Sequence, residues 1–404
     1  MKKFTRIFLL PLVVFGTFAT PASAAEGDGS PQDPNILYVG RWDKSNASAP
    51  HSYWGGAYVR TGFTGTSLSV KLGKSADIAV FIDDKAPVFK MGANGTVNLA
   101  SGLASGNHTV KVVARFQADQ LVFQGFVLAQ GAKTLPAQKS KALIEFIGNS
   151  ITSGSVTTNG NVSAFPWIVG ETLGADRTAI SYPGITLVNG YYLNFNGLPA
   201  IGMEVSYTKT NTPPMRPATT DPINIAWNFN QYTPDIVVIN IGTNDGNGAG
   251  VPTNTFQTSY LNFLKFIRGK FPKAHIFALR TFGGYMATQT QNAATQLINA
   301  GDSRIHYVNT TNWLVRSDFA SDGLHPSDDG QKKAANLIAN ILKPYVDSIA
   351  SASTAVAARA EAQGSLGLHR TDRRLSLAFS VDGRNMNLEE IRARLDQLRT
   401  APRN

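Results

Sequence analysis

Ala142-Leu-Ile-Glu-Phe-Ile-Gly-Asn-Ser-Ile-Thr152 is a compact apolar run that stops on a Gly-x-Ser turn. Two runs of the same kind follow, Asp235-Ile-Val-Val-Ile-Asn-Ile241 and Ala274-His-Ile-Phe-Ala-Leu279. Unbroken apolar strands of this length are buried on both faces of a sheet. After them stand longer amphipathic stretches at 255–271, 288–300 and 327–350, which read as helices, the last opened by Pro326-Ser327-Asp328. Strand and helix in alternation predict a parallel sheet covered on both sides across residues 141–350. Between Gly184 and Asp221 lies an insert rich in Tyr, Asn, Pro and Thr. Long loops at the carboxyl ends of strands commonly shape a cleft.

Upstream the period changes. Residues 33–133 hold short alternating runs such as Ala57-Tyr-Val-Arg60, Ser67-Leu-Ser-Val-Lys-Leu72, Asp77-Ile-Ala-Val-Phe-Ile82, His108-Thr-Val-Lys-Val-Val-Ala114 and Leu121-Val-Phe-Gln-Gly-Phe-Val-Leu128. Turn signals at Gly92-Ala-Asn-Gly95 and Ser105-Gly-Asn107 separate them, which predicts an all-β sandwich or jelly roll. Residues 130–141 read as the linker to the α/β part. Lys2, Lys3 and Arg6, the apolar run Ile7 to Phe18, and Ala22-Ser23-Ala24 have the pattern of a secretory signal over 1–24, removed after Ala24. That expectation makes the mature protein secreted or periplasmic, with no membrane anchor. Residues 351–404 begin as an Ala/Ser-rich linker and end in an Arg-rich, poorly ordered tail, with 388–398 as one short amphipathic helix.

Composition narrows the function classes. The 404 residues contain no cysteine, which excludes thiol chemistry, disulfides and a lipobox anchor. The formal charge of +10 is uneven: three positives lie in the leader, and the tail holds nine Arg against six acidic residues. The body keeps about +4, an ordinary solvated surface. It has no basic cluster interleaved with aromatics, so nucleic acid is set aside as a partner.

The chemistry is carried by loops. Ser150, in Gly148-Asn-Ser-Ile-Thr152, stands where a strand turns toward a helix, the place where a hydroxyl reaches the sheet edge beside free N–H groups. The same letters also serve as a plain turn. A serine needs a base, and the chain has six histidines. His51 and His108 belong to the β part, His369 to the tail, and His275 and His306 to strand-like apolar runs. His325 remains, in Ser321-Asp-Gly-Leu-His-Pro326, where Asp322 can reach the ring across a glycine-eased turn. Asn244, in Ile241-Gly-Thr-Asn-Asp-Gly246 after a buried strand, is placed to donate to an oxyanion, as is the backbone of Gly184 in Ser181-Tyr-Pro-Gly-Ile-Thr186. Trp313, with Trp227 behind it, is the candidate aromatic platform for a sugar, although a tryptophan there also suits a core. Acyl transfer by such a set needs no metal and no organic cofactor.

This set resembles the SGNH hydrolase superfamily, whose four blocks supply Ser, Gly, Asn and His, here Ser150, Gly184, Asn244 and His325, with Asp322 at the Asp-x-x-His position. The match spans about 142–346 and departs from the frequent Gly-Asp-Ser in having Gly148-Asn149-Ser150. It implies an α/β domain with a flavodoxin-like parallel sheet flanked by helices. The upstream stretches Val39-Gly-Arg-Trp-Asp43, Ser52-Tyr-Trp-Gly-Gly-Ala-Tyr-Val-Arg60 and Phe63-Thr-Gly-Thr-Ser-Leu68 look like carbohydrate esterase family 2. Its members pair an N-terminal jelly roll with an SGNH domain and deacetylate xylan and related plant polysaccharides, some with a Ser-His dyad alone. The resemblance implies an acetylated polysaccharide or oligosaccharide as substrate and an acyl-enzyme on Ser150. Two other readings stay open: an exported lipase, lysophospholipase or thioesterase on the same scaffold, and a non-catalytic carbohydrate-binding protein.

Overall fold

The computed structural model describes residues 26–83, 85–191, 201–212, 225–364, 379–381 and 384–386. The expected leader at 1–24, parts of the 184–221 insert and the expected helix at 388–398 lie outside them. The chain divides into one unit over residues 1–343 and a second over 344–404.

The first unit begins with strands β1 (Leu37–Val39), β2 (Trp42–Asp43), β3 (His51–Ser52), β4 (Tyr58–Thr64), β5 (Leu68–Ile82), β6 (Val88–Ala100), β7 (Asn107–Ala114), β8 (Phe123–Leu128) and β9 (Thr134–Leu135). All pairings among them are antiparallel. The two apolar runs at 67–72 and 77–82 are halves of one bent strand, β5. Its first half pairs with β8 and its second with β7, with irregular register around Ala76. A strand that changes neighbour this way curls the sheet over a shared core, here Trp42, Phe63, Leu72, Ile78 and Phe123. Two expectations need correction. Gly92-Ala-Asn-Gly95 is not a turn but lies inside β6, where Gly92 and Gly95, at φ 56° and 63°, take up the irregular register opposite β5. Residues 130–141 are not a free linker, because β9 pairs with β4 and Thr134 Oγ1 donates to the Asp33 carboxylate at 2.6 Å.

The α/β part follows as β10 (Leu143–Gly148), α1 (Phe165–Leu173), β11 (Asp176–Ser181), α2 (Met203–Ser206), β12 (Ile236–Asn240), α3 (Thr243–Gly246), α4 (Thr253–Lys270), β13 (His275–Leu279), α5 (Ala287–Asn299), β14 (Ile305–Val308) and α6 (Asp328–Gly364). The sheet is parallel, in the order β11-β10-β12-β13-β14, the flavodoxin-like order with β10 and β12 at the switch point. Ile147, Ile180 and Ile239 face Phe256, Tyr260 and Leu264 of α4. On the other face Phe146 meets Phe165 of α1 edge-on.

The β domain packs directly on this sheet. Tyr58, Phe81 and Val113 share a core with Trp167 of α1. Asp176, at the start of β11, accepts the Tyr58 hydroxyl at 2.6 Å, Arg60 at 2.7 Å and Ser140 at 2.7 Å. Arg41, from the β domain, is wholly buried and donates to the carbonyls of Tyr207 and Lys209 at 2.6 and 2.7 Å. Its guanidinium also lies 4.6 Å from the Tyr207 ring centre and 5.0 Å from that of Trp227. Buried Glu145 balances it, accepting the hydroxyls of Tyr207 and Tyr232.

In the second unit α6 continues beyond Pro344 to Gly364, so 351–364 are helical rather than the linker expected, and a short antiparallel pair joins Phe379–Val381 to Arg384–Met386. Among the described residues no helix is long and apolar enough to cross a membrane.

Removing one member of a buried, compensated charge set strands the other. Arg41→Met is expected to destabilise the fold by about 3–5 kcal/mol in urea unfolding, with the Arg41→Met/Glu145→Gln pair recovering most of it. Equal loss in the single and double variants would contradict the linkage.

Candidate active site

β10 ends at Gly148, and the chain turns at once. Gly148 pairs with Ser181 on one side and Asn240 on the other. A Cβ at Gly148 would stand 2.0 Å from Thr152 Oγ1 and 2.7 Å from the Asn240 carbonyl oxygen, so only glycine lets the turn fold back this tightly. Asn149 Oδ1 accepts the Ile151 N–H at 3.0 Å, and its carbonyl accepts the Ser153 N–H at 3.0 Å. Asparagine therefore supplies the acceptor that the frequent aspartate would. Ser150 itself is 7% exposed.

Across 175 residues of sequence, His325 Nε2 lies 2.8 Å from Ser150 Oγ. On its other edge, Nδ1 lies 2.7 Å from Asp322 Oδ2. The pairing assigns the Nδ1–H tautomer: the ring donates to Asp322 and accepts from the serine hydroxyl. Desolvation pushes the Asp322 carboxyl upward, but hydrogen bonds from the His325 and Leu324 amides and from the His325 ring outweigh it and hold it at about 2. The loop is closed by the Ala320 N–H donating to the His325 carbonyl at 2.8 Å, with Gly323 at φ 70°.

The other expected donors share this edge of the sheet. Asn244 sits just past β12 and donates one amide N–H to the Ile185 carbonyl at 2.8 Å, in the loop after β11 that contains Gly184 at φ 77°. An amide nitrogen carries two donors, so the second is left for a ligand. Trp313, in the loop after β14, is half-buried with its ring centre 6.5 Å from that of Phe282. Trp227 is corrected: it is 5% exposed and packed under Arg41, so no ring face is open to a sugar. The other described histidines have other duties. His108 meets Asp83 at 3.0 Å and His51 meets Gln120 at 3.1 Å, while His275 and His306 pair with each other at 3.1 Å in β13 and β14. His369 lies outside the described residues.

Sequence reasoning missed three residues that hold the blocks together. Buried Gln331 on α6 donates to the Ile151 carbonyl at 2.9 Å and accepts the Phe165 N–H at 2.9 Å. A signal existed, because Gln331 falls on the same helical stripe as buried Ala334, Ala335, Ile338 and Leu342. Asp328 accepts the Thr158 hydroxyl at 2.7 Å, tying the serine loop to the start of α6. Asp245, 1% exposed, accepts the amides of Leu187 and Val188 at 2.9–3.1 Å and so ties the Gly184 loop to the Asn244 turn. Nothing in Asn244-Asp-Gly246 distinguished it from an ordinary turn aspartate.

Burial raises the Asp245 carboxyl to about 6, against the pull of the Leu187 and Val188 amides. A carboxyl raised above its unfolded value of 3.8 adds stability when protonated, and that increment is lost as pH rises through about 6. Asp245→Asn is therefore expected to flatten a fall in stability of up to about 3 kcal/mol between pH 4 and 6. Melting curves at unit pH steps check this, and an unchanged slope in the variant would refute it.

The chain matches two family models: carbohydrate esterase 2 N-terminal over residues 38–137, and the GDSL-like lipase/acylhydrolase family over 146–333. It is 29% identical over 329 residues to cellulase/esterase CelE of Acetivibrio thermocellus, a match covering 75% of this chain and 39% of that protein. It is 26% identical over 329 residues to an acetylxylan esterase/glucomannan deacetylase of Cellvibrio japonicus, covering 73% and 86%. A family two carbohydrate esterase from Clostridium thermocellum in complex with cellohexaose superimposes with a TM-score of 0.66 at 28% identity, covering 77% of this chain and 99% of that one. With its antiparallel β domain leading into a parallel sheet of this order, the chain joins a carbohydrate esterase 2 N-terminal domain to a GDSL-like lipase/acylhydrolase domain, and its fold is similar to that of the family two carbohydrate esterase.

Proposed function

We propose that the protein is an exported serine esterase that removes O-acetyl groups from plant polysaccharides such as xylan or glucomannan. The observation that carries this is the unbroken chain Ser150 Oγ to His325 Nε2, and His325 Nδ1 to Asp322, at 2.8 and 2.7 Å. Export is supported by the apolar run and Ala22-Ser23-Ala24 near the start of the chain. The β domain and the names of the relatives support the choice of a sugar hydroxyl as leaving group. The proposal assigns 33–133 to that domain and 141–350 to the hydrolase.

Ser150 Oγ attacks the acetyl carbonyl carbon as His325 Nε2 takes its proton. The carbonyl oxygen becomes the oxyanion, held by the Ser150 and Gly184 amides and by Asn244 Nδ2. Asp322, already anionic, stabilises the imidazolium that forms. Collapse of the intermediate breaks the bond to the sugar oxygen, which takes the proton from His325 and leaves acetyl-Ser150. Water then repeats the sequence with the same base and releases acetate. Trp313 is the proposed sugar contact.

Ser150→Ala is expected to lower turnover of p-nitrophenyl acetate by at least about 10⁴-fold while glycan binding persists. Retained turnover would overturn the assignment of the nucleophile, and a preference for octanoyl over acetyl esters would turn the reading toward a lipase. Acetate release from acetylated xylan, glucomannan and chitin oligomers identifies the polysaccharide. Because Asp322 is held at about 2, the acid limb of kcat/KM is expected to show one ionisation down to about pH 4. A two-proton limb would contradict that. Asp322→Asn is expected to cost about 10- to 10³-fold in kcat, less than for a buried triad acid, since the side chain is 41% exposed.

A further inference from the structure

The loop that carries Ser150 holds three residues in the left-handed region: Gly154, Val156 and Gly160, at φ 72°, 65° and 54°. Glycine enters that region freely. For Val156 the branched Cβ crowds the backbone, and such a conformation persists only where its surroundings impose it. The Val156 side chain is 59% exposed, so burial does not offset the strain. Ser155, its neighbour, donates its N–H to the Ser150 carbonyl at 2.9 Å, which puts the strained peptide one residue from a direct tie to Ser150.

The loop is gripped from both sides. On the α/β side Asp328 holds Thr158, and Gln331 holds Ile151 and Phe165. On the other side the end of β7 reaches the same segment. Asn161 donates its N–H to the Arg115 carbonyl at 2.8 Å and its side-chain amide to the Ala114 carbonyl at 3.1 Å. Arg115 Nη2 donates to the Thr158 carbonyl at 3.0 Å and to Asn159 Oδ1 at 3.2 Å. The Arg115 guanidinium is steadied over the rings of Phe89 and Phe116, at 5.0 and 4.7 Å. Phe116 in turn presses on Gly160, where a Cβ would stand 2.5 Å from its ring.

We infer that the β domain is a positioning part of the esterase site: through Arg115 and the end of β7 it holds loop 150–161 in the left-handed turn at Val156, which seats Ser150 against His325. The inference rests on the assignment of Ser150 as nucleophile. Arg115 and Asn161 act through the loop and touch no substrate.

The test is a double-variant cycle on p-nitrophenyl acetate, with active enzyme counted by fluorophosphonate titration. Arg115→Ala, and Asn161→Ala as an independent cut of the same clamp, are each expected to lower kcat about 10- to 100-fold with KM within about threefold. Val156→Gly keeps the turn without strain and alone is expected to hold kcat within about threefold of the parent. Combined with Arg115→Ala it is expected to bring kcat back to within about fivefold, because the loop no longer needs holding. A double variant no faster than Arg115→Ala, or clamp variants at parental kcat, would overturn the inference. Hydrogen exchange of amides 151–161 reads the loop without turnover and is expected to quicken in Arg115→Ala and return in the double variant. Exchange unchanged in Arg115→Ala would also overturn it. An active Ser150→Ala enzyme would instead remove the nucleophile assignment and leave the exchange result standing.

Discussion

The site hangs on the absence of a side chain at Gly148. Strand β10 lies inside the parallel sheet with hydrogen-bonded neighbours on both sides, so it cannot shift sideways to relieve a clash. Its last residue must leave room for Thr152, which folds back over it, and for the carbonyl of Asn240 beside it. Any Cβ there would push the turn outward and move Ser150 away from the edge of the sheet. Because proteins are close-packed, a displacement at this point would pass to every element that touches the turn. Those elements are α6 through Gln331, α1 through Phe165, and the β domain through the segment at 158–161.

Buried hydrogen bonds to charged groups fix geometry better than apolar packing does, because each partner is directional. The junction of the two domains is built this way. Arg41 and Glu145 never meet directly; Tyr207 and Tyr232 bring hydroxyls to the carboxylate while the guanidinium takes two carbonyls and lies among aromatic rings. Asp176 plays the same part at the start of β11, gathering Tyr58, Arg60 and Ser140. The β domain is thus fastened through Arg41 and through Asp176, and the end of β7 reaches the serine loop as well. A domain held so closely shares the mechanics of the site whether or not it touches the sugar.

What could be read in the sequence follows from the range of the interactions. The strand at 143–148 and the helix after Pro326 were legible because burial on both faces and a helix start are written within a few residues. The α/β class followed from their alternation. The two glycines at 92 and 95 misled because their letters are those of a turn, whereas their role is set by β5, a partner some twenty residues away. β9 was illegible for the same reason, being two residues long and defined only by β4. In the site, Ser150 emerged from the Gly-x-Ser turn at a strand end and His325 by elimination among six histidines, since few residue types can do their chemistry. Asp245 and Arg41 did not, because they donate to or accept from backbone groups, and backbone partners leave no mark in a sequence.

The catalytic chain itself divides along the same line. Asp322 and His325 are three residues apart, and the carboxylate is held by the amides of Leu324 and His325 as well as by the ring, so the short loop sets its geometry almost alone. This half tolerates solvent: Asp322 is 41% exposed yet keeps its charge, because local donors supply what burial does not. The contact between His325 and Ser150 has no such local support. It closes only if β10, the turn after Gly148 and α6 are all in register, and buried Gln331 and half-exposed Asp328 set that register from the helix side. Local strain is easier to sustain in a loop whose both ends are fixed, and the loop between Ser150 and Asn161 is fixed at both ends. The nucleophile therefore depends on long-range packing and its acid on short-range turns, so perturbations of the domain junction should reach Ser150 before they reach Asp322.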